Sequence, residues 1–165
     1  MKYFIRDFTK RDTNQVIKIY QNEFARQPWN EKWTYEAVKE DIEFCKNQKY
    51  PKILVAEKNY EIVGFCWGYQ LPMDKFQFLK GKIKEPAGYG DELAVKDEYK
   101  RNYVGETLTL DLINFFRGNE MRQFILRTLT TTNAYPLCKK LGFKDIGRLD
   151  PNDTYENRVY LTKDL

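Results

Sequence analysis

The chain of 165 residues contains no histidine and no serine. It therefore cannot build a Ser-His-Asp or Cys-His nucleophilic centre, or a metal site that uses histidine. Its cysteines, Cys45, Cys66 and Cys138, are odd in number and widely spaced, which predicts neither a disulfide framework nor a zinc site. We expect free thiols, no metal, and acid–base chemistry carried by Glu, Asp, Tyr, Cys, Lys or water.

Long apolar runs and a strong charge bias are also missing. No apolar stretch approaches the roughly 20 residues that a membrane span needs, and residues 1–12 lack the apolar core of a signal peptide. The net charge of +4 is interspersed along the chain, without the basic stripe of a nucleic-acid binder. We expect one cytoplasmic domain over residues 1–165 that binds neither membrane nor nucleic acid.

The apolar periodicity predicts seven strands and four helices. Helices are expected from Thr13 to about Ala25, after a cap at Thr34, from about Val104 to Arg117 and from Ala134 to Leu141. Strands are expected in KYFIRDF, KILVAEK, EIVGFCWGYQL, YGDELAV, RQFILRTLT, FKDIG and NRVYLTKDL, with a long polar connection over residues 72–88. This order predicts an α/β (α+β) fold in which helices cover both faces of a mixed sheet.

The segment LAVKDEYKRNYVGETL joins a strand to a helix through a basic loop with one glycine, Gly105. A helix start carries unpaired N–H donors and about half a positive charge, and glycine lets an anion approach the backbone. Lys96, Lys100 and Arg101 add positive charge. The segment predicts an anion site, although an ordinary solvated turn has a similar sequence. A P-loop is excluded because no Gly-Lys-Ser/Thr follows.

Three segments, in order, resemble the GNAT superfamily of acyl-CoA N-acyltransferases. In chain order, ILVAEKNYEIVGFCWGY resembles its hairpin, ELAVKDEYKRNYVGETL resembles its central strand–loop–helix motif, and NAYPLCKKLGFKDIG resembles its second motif. The resemblance covers essentially the whole chain. It implies a mostly antiparallel twisted sheet of about seven strands flanked by about four helices. It also implies an N-acetyltransferase that uses acetyl-CoA without a metal.

The resemblance also implies the cofactor-binding residues. The loop amides would bind the pyrophosphate of coenzyme A, and the strand backbone at Leu93 and Val95 would pair with the pantetheine arm as if it were another strand. The expected cofactor-binding residues are Leu93, Ala94, Val95, Lys100, Arg101, Asn102, Tyr103, Val104, Gly105, Glu106 and Asn133.

Three positions depart from the family pattern. Tyr103 replaces a glycine, and we expect its backbone to stay right-handed while its ring packs over the loop or the cofactor. Thr131 stands at a common Asn position, with Asn133 nearby as a helix cap. Cys138 stands where the family has the tyrosine that protonates the departing thiolate. Cys138 or Tyr135 would take that role, or Cys138 is a small buried hydrophobe.

Amine acetylation needs a base, because an amine with a pKa near 10 is protonated at neutral pH. Glu92 is the expected base, with Asp91 on the opposite strand face by alternation and the Val95 amide polarising the thioester. The acceptor site is expected between the first two helices and the long connection, with Trp29, Trp33, Tyr69 and Asp91 as substrate-binding residues. The acceptor is a small-molecule or peptide amine that the sequence does not identify.

Two other functions stay open. One is a GNAT-like module that binds acyl-CoA without turnover, suggested by the departures at Tyr103 and Cys138. The other is a nucleotide- or nucleic-acid-binding domain that uses Lys96, Lys100 and Arg101. The sequence also leaves a homodimer open.

Overall fold

The protein folds around one seven-stranded sheet, as described for residues 2–165 by a computed structural model. The strands are β1 (Phe4–Asp7), β2 (Lys52–Lys58), β3 (Glu61–Gln70), β4 (Ala87–Val95), β5 (Gln123–Leu129), β6 (Lys144–Gly147) and β7 (Arg158–Asp164). The helices are α1 (Thr13–Phe24), α2 (Tyr35–Lys46), α3 (Val104–Gly118) and α4 (Ala134–Lys140). The predicted numbers of strands and helices are confirmed, and β4 begins two residues before the predicted segment.

The strand order is β1-β2-β3-β4-β5-β7-β6, and within the described chain every neighbouring pair is antiparallel except β4 and β5. That parallel pairing covers only residues 87–90 of β4 and 123–126 of β5. Strand β4 continues to Val95 without β5 beside it. The sheet therefore opens into a V between these two strands, and the edge of β4 lies free inside it.

Helices cover both faces because each presents an apolar stripe at helical spacing. Helix α1 buries Val16, Ile17 and Tyr20 against the face that α2 also covers. Helix α3 buries Leu108, Leu112 and Phe116 on the opposite face, together with α4. The two cores hold the diverging strands β4 and β5 between them.

Local signals agree with the boundaries. The side chain of Thr34 accepts a hydrogen bond from the Ala37 amide at 3.1 Å, which confirms the predicted cap of α2. Asn59 and Tyr60 have positive φ values of 50° and 66°, which suits the two-residue turn of the β2–β3 hairpin. No helix within residues 2–165 is long and apolar enough to cross a membrane.

Candidate active site

A cavity of about 750 Å³ lies between the free end of β4 and the chain that follows β5. Its walls are the free end of β4, the loop before α3, the starts of α3 and α4, and the chain that follows α1. This volume lies within the range of sites that hold a small molecule or cofactor. Most of the cofactor-binding residues expected from the sequence line it, namely Leu93, Ala94, Val95, Lys100, Arg101, Tyr103, Val104, Gly105, Glu106 and Asn133.

The loop before α3 supplies a row of free donors to this cavity. In the described structure the amide N–H groups of residues 101–106 have no hydrogen-bond acceptor, and the first paired amide of the helix is that of Thr107, which bonds the Tyr103 carbonyl at 2.9 Å. Lys100 adds positive charge beside them, paired with Glu23 at 2.6 Å. Unpaired donors at the start of a 15-residue helix suit an anion such as pyrophosphate.

Tyr103 corrects one expectation from the sequence. Its φ of 62° and ψ of 9° place it in the left-handed region, so the loop does not stay right-handed there. A residue with a Cβ atom pays about 1–2 kcal/mol for this conformation. The ring is 70% exposed at the wall of the cavity, and the Lys140 ammonium lies over it at 5.7 Å from the ring centroid.

The free edge of β4 directs backbone groups into the V. Lys96 donates to the Val63 carbonyl, so the opposed residues Val95 and Gly64 form a non-hydrogen-bonded pair with β3. Hydrogen-bonded and non-hydrogen-bonded pairs alternate along an antiparallel ladder, so Leu93 and Cys66 also form a non-hydrogen-bonded pair. The N–H and C=O groups of Leu93 and Val95 therefore point away from β3 into the cavity, where an extended, amide-containing chain can pair with them.

Glu92 lies next to this edge, on the face covered by α1. The Tyr20 hydroxyl donates to its Oε1 at 3.0 Å, and the Tyr20 ring stacks on Trp67 at 5.8 Å. Burial, reinforced by the charge of Asp91, raises the pKa of Glu92 well above its ordinary value. A carboxyl with a raised pKa and a fixed orientation is suited to accept a proton near neutral pH.

Asp91 lies on the same face as Glu92, which corrects the expectation from strand alternation. Glu92 is opposite Trp67 and Gly90 is opposite Gly68, so Asp91 is an extra residue in a β-bulge. Its Oδ2 accepts hydrogen bonds from Trp67 Nε1 at 3.3 Å and from the Tyr69 hydroxyl at 3.1 Å.

Asp41 of α2 completes a carboxylate cluster with Asp91 and Glu92. Burial and the neighbouring Asp91 raise the pKa of Asp41 to about 6. Burial also raises the pKa of Asp91. The cluster faces Tyr20, Trp67 and Tyr69, and this combination of acidic and aromatic groups suits a cationic amine.

The two proton donors expected from the sequence do not reach the cavity. Cys138 is 4% exposed in the core beneath α3, and burial raises the pKa of its thiol to about 12. The Tyr135 hydroxyl donates to Asp145 Oδ2 at 2.7 Å, on the side of α4 that faces β6. Neither residue lines the cavity, so the geometry gives neither a place beside a departing thiolate.

The expected substrate-binding aromatics belong to the core on the same face of the sheet as the acidic cluster. Trp33 packs edge-on against Tyr20 at 5.2 Å, and its Nε1 donates to Glu31 at 3.2 Å. Trp29 lines the cavity and packs against Tyr155 at 5.6 Å. The Tyr155 hydroxyl also donates to Glu31 Oε2 at 2.9 Å, so the chain before β7 contacts the chain before α2 across this face.

The sequence analysis did not identify several residues of the site, namely Tyr20, Arg26, Asp41, Arg127 and Tyr155. The helical stripe indicated that Tyr20 faces the core but not that its hydroxyl meets Glu92. Arg26 lines the cavity from just beyond α1, where the sequence shows only a polar loop. The others approach the site through contacts between distant segments, for which the sequence carries no local signal.

Comparison with known proteins agrees with this geometry. Residues 13–143 match the family model described as the acetyltransferase (GNAT) family. A Bacillus subtilis (strain 168) protein, whose name provisionally makes it a ribosomal protein bS18-alanine N-acetyltransferase, is 25% identical over 147 residues, covering 88% of this chain and 83% of its own.

Solved structures share the fold at lower identity. The ribosomal-protein-alanine N-acetyltransferase of Brucella melitensis superposes with a TM-score of 0.77 at 19% identity, over 98% of this chain and 99% of its own. The PaiA N-acetyltransferase of Thermoplasma acidophilum, solved in complex with coenzyme A, gives a TM-score of 0.70 at 17% identity over 100% of both chains.

Proposed function

The chain belongs to the GNAT family of acetyltransferases, and from this premise we propose that it transfers an acetyl group from acetyl-CoA to a primary amine within a ternary complex. The observation that carries the proposal is the row of unpaired amides at residues 101–106, which faces the same cavity as the free edge of β4. One end of the cavity suits a pyrophosphate, and the other suits an extended arm that ends near Glu92.

The loop and the start of α3 would bind the phosphates of the cofactor. The amides of residues 101–106 would donate to the pyrophosphate, with Lys100, Arg101 and Arg26 supplying positive charge. Asn133 and Thr131 line the opposite wall at the start of α4. The pantetheine arm would pair with Leu93 and Val95 as an added strand.

Glu92 would act as the general base. It takes a proton from the acceptor ammonium, and the free amine attacks the thioester carbonyl. An N–H of the β4 edge, from Leu93 or Val95, stabilises the negative oxygen of the tetrahedral intermediate. The intermediate then collapses with cleavage of the C–S bond, and the nitrogen of the new amide loses its second proton to the departing thiolate or to solvent. A thiol with a pKa near 8.5 leaves without strict need of a proton donor, so the positions of Cys138 and Tyr135 do not block the reaction.

For the acceptor we propose only a chemical class. The names of two relatives specify the alanine of a ribosomal protein, so a peptide amine is the first candidate, and a small-molecule amine is the second. The three cysteines, all within the described residues, are free and buried, which fits work in a reducing compartment such as the cytoplasm.

A module that binds acetyl-CoA without turnover is the second candidate. It is favoured by one observation, namely that neither Cys138 nor Tyr135 lines the cavity to protonate the thiolate. The two functions differ in a single respect: both bind the cofactor, but only the enzyme releases free thiol when an amine is added.

The test is the release of coenzyme A thiol from acetyl-CoA across a panel of peptide and small-molecule amines. We expect release that needs both protein and amine, with kcat/KM rising as pH increases through the raised pKa of Glu92, because the base acts when deprotonated. Glu92→Gln should lower kcat about 100-fold or more and leave acetyl-CoA binding intact. The matched control, Glu36→Gln at an exposed position of α2, should change neither. Binding without release for every amine would support the silent module.

A further inference from the structure

Tyr20 places a single hydroxyl in the core between α1 and the sheet. Only 1% of the residue is exposed. Four neighbouring rings, with centroids 4.6–6.1 Å away, fix its position, namely those of Phe24, Trp33, Phe65 and Trp67. The hydroxyl donates to Glu92 Oε1 at 3.0 Å. Burial raises the pKa of Tyr20, so the hydroxyl keeps its proton near neutral pH and always has one hydrogen bond to donate.

Asp41 brings a second carboxylate to the same hydroxyl. It lies three residues after Val38 and four before Cys45, both buried in α2, so the half-buried Asp41 side chain shares the face of the helix that meets the core. Burial, reinforced by Asp91, raises the pKa of Asp41 to about 6. Within residues 2–165 the effect that opposes this rise is a hydrogen bond from the Tyr20 hydroxyl. One hydroxyl with one proton thus faces two carboxylates.

The protonation state of Glu92 decides which carboxylate the hydroxyl serves. While Glu92 is ionised, it accepts a charge-assisted hydrogen bond from Tyr20. Once Glu92 has taken a proton it is a neutral acid, which accepts less strongly and carries an O–H donor of its own. That donor can bond the Tyr20 oxygen, which accepts no hydrogen bond within the described residues. The hydroxyl is then free to turn to Asp41, which is ionised above about pH 6.

Other charges also reach Glu92 from the elements packed around it. Burial and the adjacent Asp91 of β4 raise its pKa. The hydrogen bond from Tyr20 of α1 lowers it, Asp41 of α2 raises it, and Arg127 of β5 lowers it. Among the described residues only Tyr20 donates a hydrogen bond to the Glu92 side chain. Its hydroxyl is therefore the group whose loss should change the base most.

We propose that Tyr20 and Asp41 are positioning residues of the reaction: the Tyr20 hydroxyl holds Glu92 as the carboxylate that takes the acceptor's proton, and it turns to Asp41 once Glu92 is protonated. This inference rests on the proposed function, because the proton comes from the acceptor ammonium. The proton moves from that nitrogen to Glu92, and the hydroxyl only exchanges one acceptor for another. Neither Tyr20 nor Asp41 lines the cofactor cavity, so both act through Glu92.

The first test is the pH profile of thiol release by Tyr20→Phe. We would measure kcat/KM from pH 6 to pH 10 with acetyl-CoA and the fastest acceptor of the amine panel, the same amine for every variant. Without the hydroxyl the ionised base is less stable, so the midpoint that belongs to Glu92 should move about 1 pH unit toward alkaline values. The loss at pH 7 should be about 10-fold and should be recovered above the new midpoint. Tyr35→Phe, which removes an exposed hydroxyl that donates to Asn14, should leave the profile unchanged.

The second test asks whether the hydroxyl turns to Asp41. Asp41→Asn removes a charge that acts on Glu92 and leaves a weaker acceptor for the hydroxyl, so the midpoint should move about 0.5–1 pH unit toward acidic values. Combined with Tyr20→Phe, the same substitution should move the midpoint less than half as far, because no hydroxyl is left to change its acceptor. Asp74→Asn, at an exposed position, is the control and should move nothing.

Two results overturn the proposal while the acetyltransferase function stands. An unchanged midpoint in Tyr20→Phe, with a loss that is equal at every pH, would show that the hydroxyl serves packing alone. Equal shifts by Asp41→Asn with and without the Tyr20 hydroxyl would show that Asp41 acts through its charge alone. If Tyr20→Phe does not fold, as thermal unfolding would reveal, an unmoved midpoint in Asp41→Asn still overturns the proposal. Absence of thiol release by the parent protein with every amine would remove the proposed function and this inference together.

Discussion

The backbone of Tyr103 is left-handed, with a φ of 62°, at a loop position where the family resemblance expects glycine. Burial does not explain the tyrosine, because 70% of its surface is exposed. A strained backbone conformation beside a cavity indicates that the residue takes part in binding the ligand of that cavity. We therefore expect the ring to contribute to cofactor binding at the expense of stability.

Replacement of this residue should separate the two effects. Tyr103→Gly should raise the free energy of unfolding by about 0.5–1 kcal/mol, because glycine adopts this conformation without strain, and it should weaken acetyl-CoA binding. Urea unfolding and calorimetric titration measure the two quantities. Tyr60→Gly is a matched control, since Tyr60 has a φ of 66° in the distant β2–β3 turn. It should stabilise similarly without changing the affinity, and a loss of stability in Tyr103→Gly would contradict the assignment of strain.

Asp41 predicts a pH dependence of stability. Burial raises its pKa from the ordinary 3.8 to about 6, so the folded state binds more protons than the unfolded state between these values. Stability from this group is therefore greatest at low pH and is lost as pH rises toward 6. Asp41→Asn should stabilise the protein at pH 7 by about 1–2 kcal/mol, after allowance for solvent screening, and have little effect near pH 4.

Urea unfolding from pH 4 to pH 8 measures this difference. The exposed Asp74→Asn is the control, and its effect should be small across the range. A stabilisation by Asp41→Asn that is the same at pH 4 and pH 7 would show that the carboxyl titrates normally and does not sense the acidic cluster.

Single residues also show where prediction from sequence succeeds and fails. Period-two alternation placed Asp91 opposite Glu92, but one extra residue in β4 turns both carboxylates to the same side. A bulge depends on the pairing of two strands and has no signature in the segment YGDELAV. The left-handed backbone of Tyr103 was not predicted either, because a residue with a Cβ atom disfavours the conformation that the loop imposes.

At the scale of elements, local sequence patterns predicted the helices and strands. The helices and strands follow from apolar periodicity, from the cap at Thr34 and from the turn at Asn59 and Tyr60. The loop before α3 could be interpreted as an anion site because its donors belong to consecutive residues. Its amides are indeed left unpaired by the fold.

Gly105 allows a test of this element. A Cβ atom there would make ordinary contacts of 3.7–4.0 Å with Val95, Leu137 and Leu93, all of which line the cavity. Gly105→Ala should therefore leave the free energy of unfolding unchanged or slightly raised, since alanine favours a helix. The methyl group would occupy space that the cofactor needs, and acetyl-CoA affinity should fall at least 10-fold.

The control for this prediction is Gly118→Ala at the other end of α3, where an added Cβ meets nothing within 4 Å. It should leave acetyl-CoA affinity intact. Unchanged affinity in Gly105→Ala, measured by calorimetric titration, would show that the cofactor does not approach the start of α3.

At the scale of the whole molecule, the site exists because β4 and β5 diverge after four paired residues. The divergence frees the backbone of Leu93 and Val95, and it places Arg127 one position beyond the last pair. These features depend on how segments that are distant in the chain pair with one another. The sequence analysis therefore predicted the strands but not their divergence. The contact of Tyr155 with Glu31 across the acceptor face was missing for the same reason.

The measurement that tests the central claim most directly is thermal unfolding of the whole protein with and without acetyl-CoA, with free coenzyme A and ATP as comparisons. A ligand at 100 times its Kd stabilises the folded state by about 2.7 kcal/mol. For a chain of this length we predict a rise in Tm of about 5–10 °C with acetyl-CoA and with coenzyme A, and none with ATP. An unchanged Tm with both forms of coenzyme A would contradict the account, because it would show that the cavity beside the free end of β4 does not bind the cofactor.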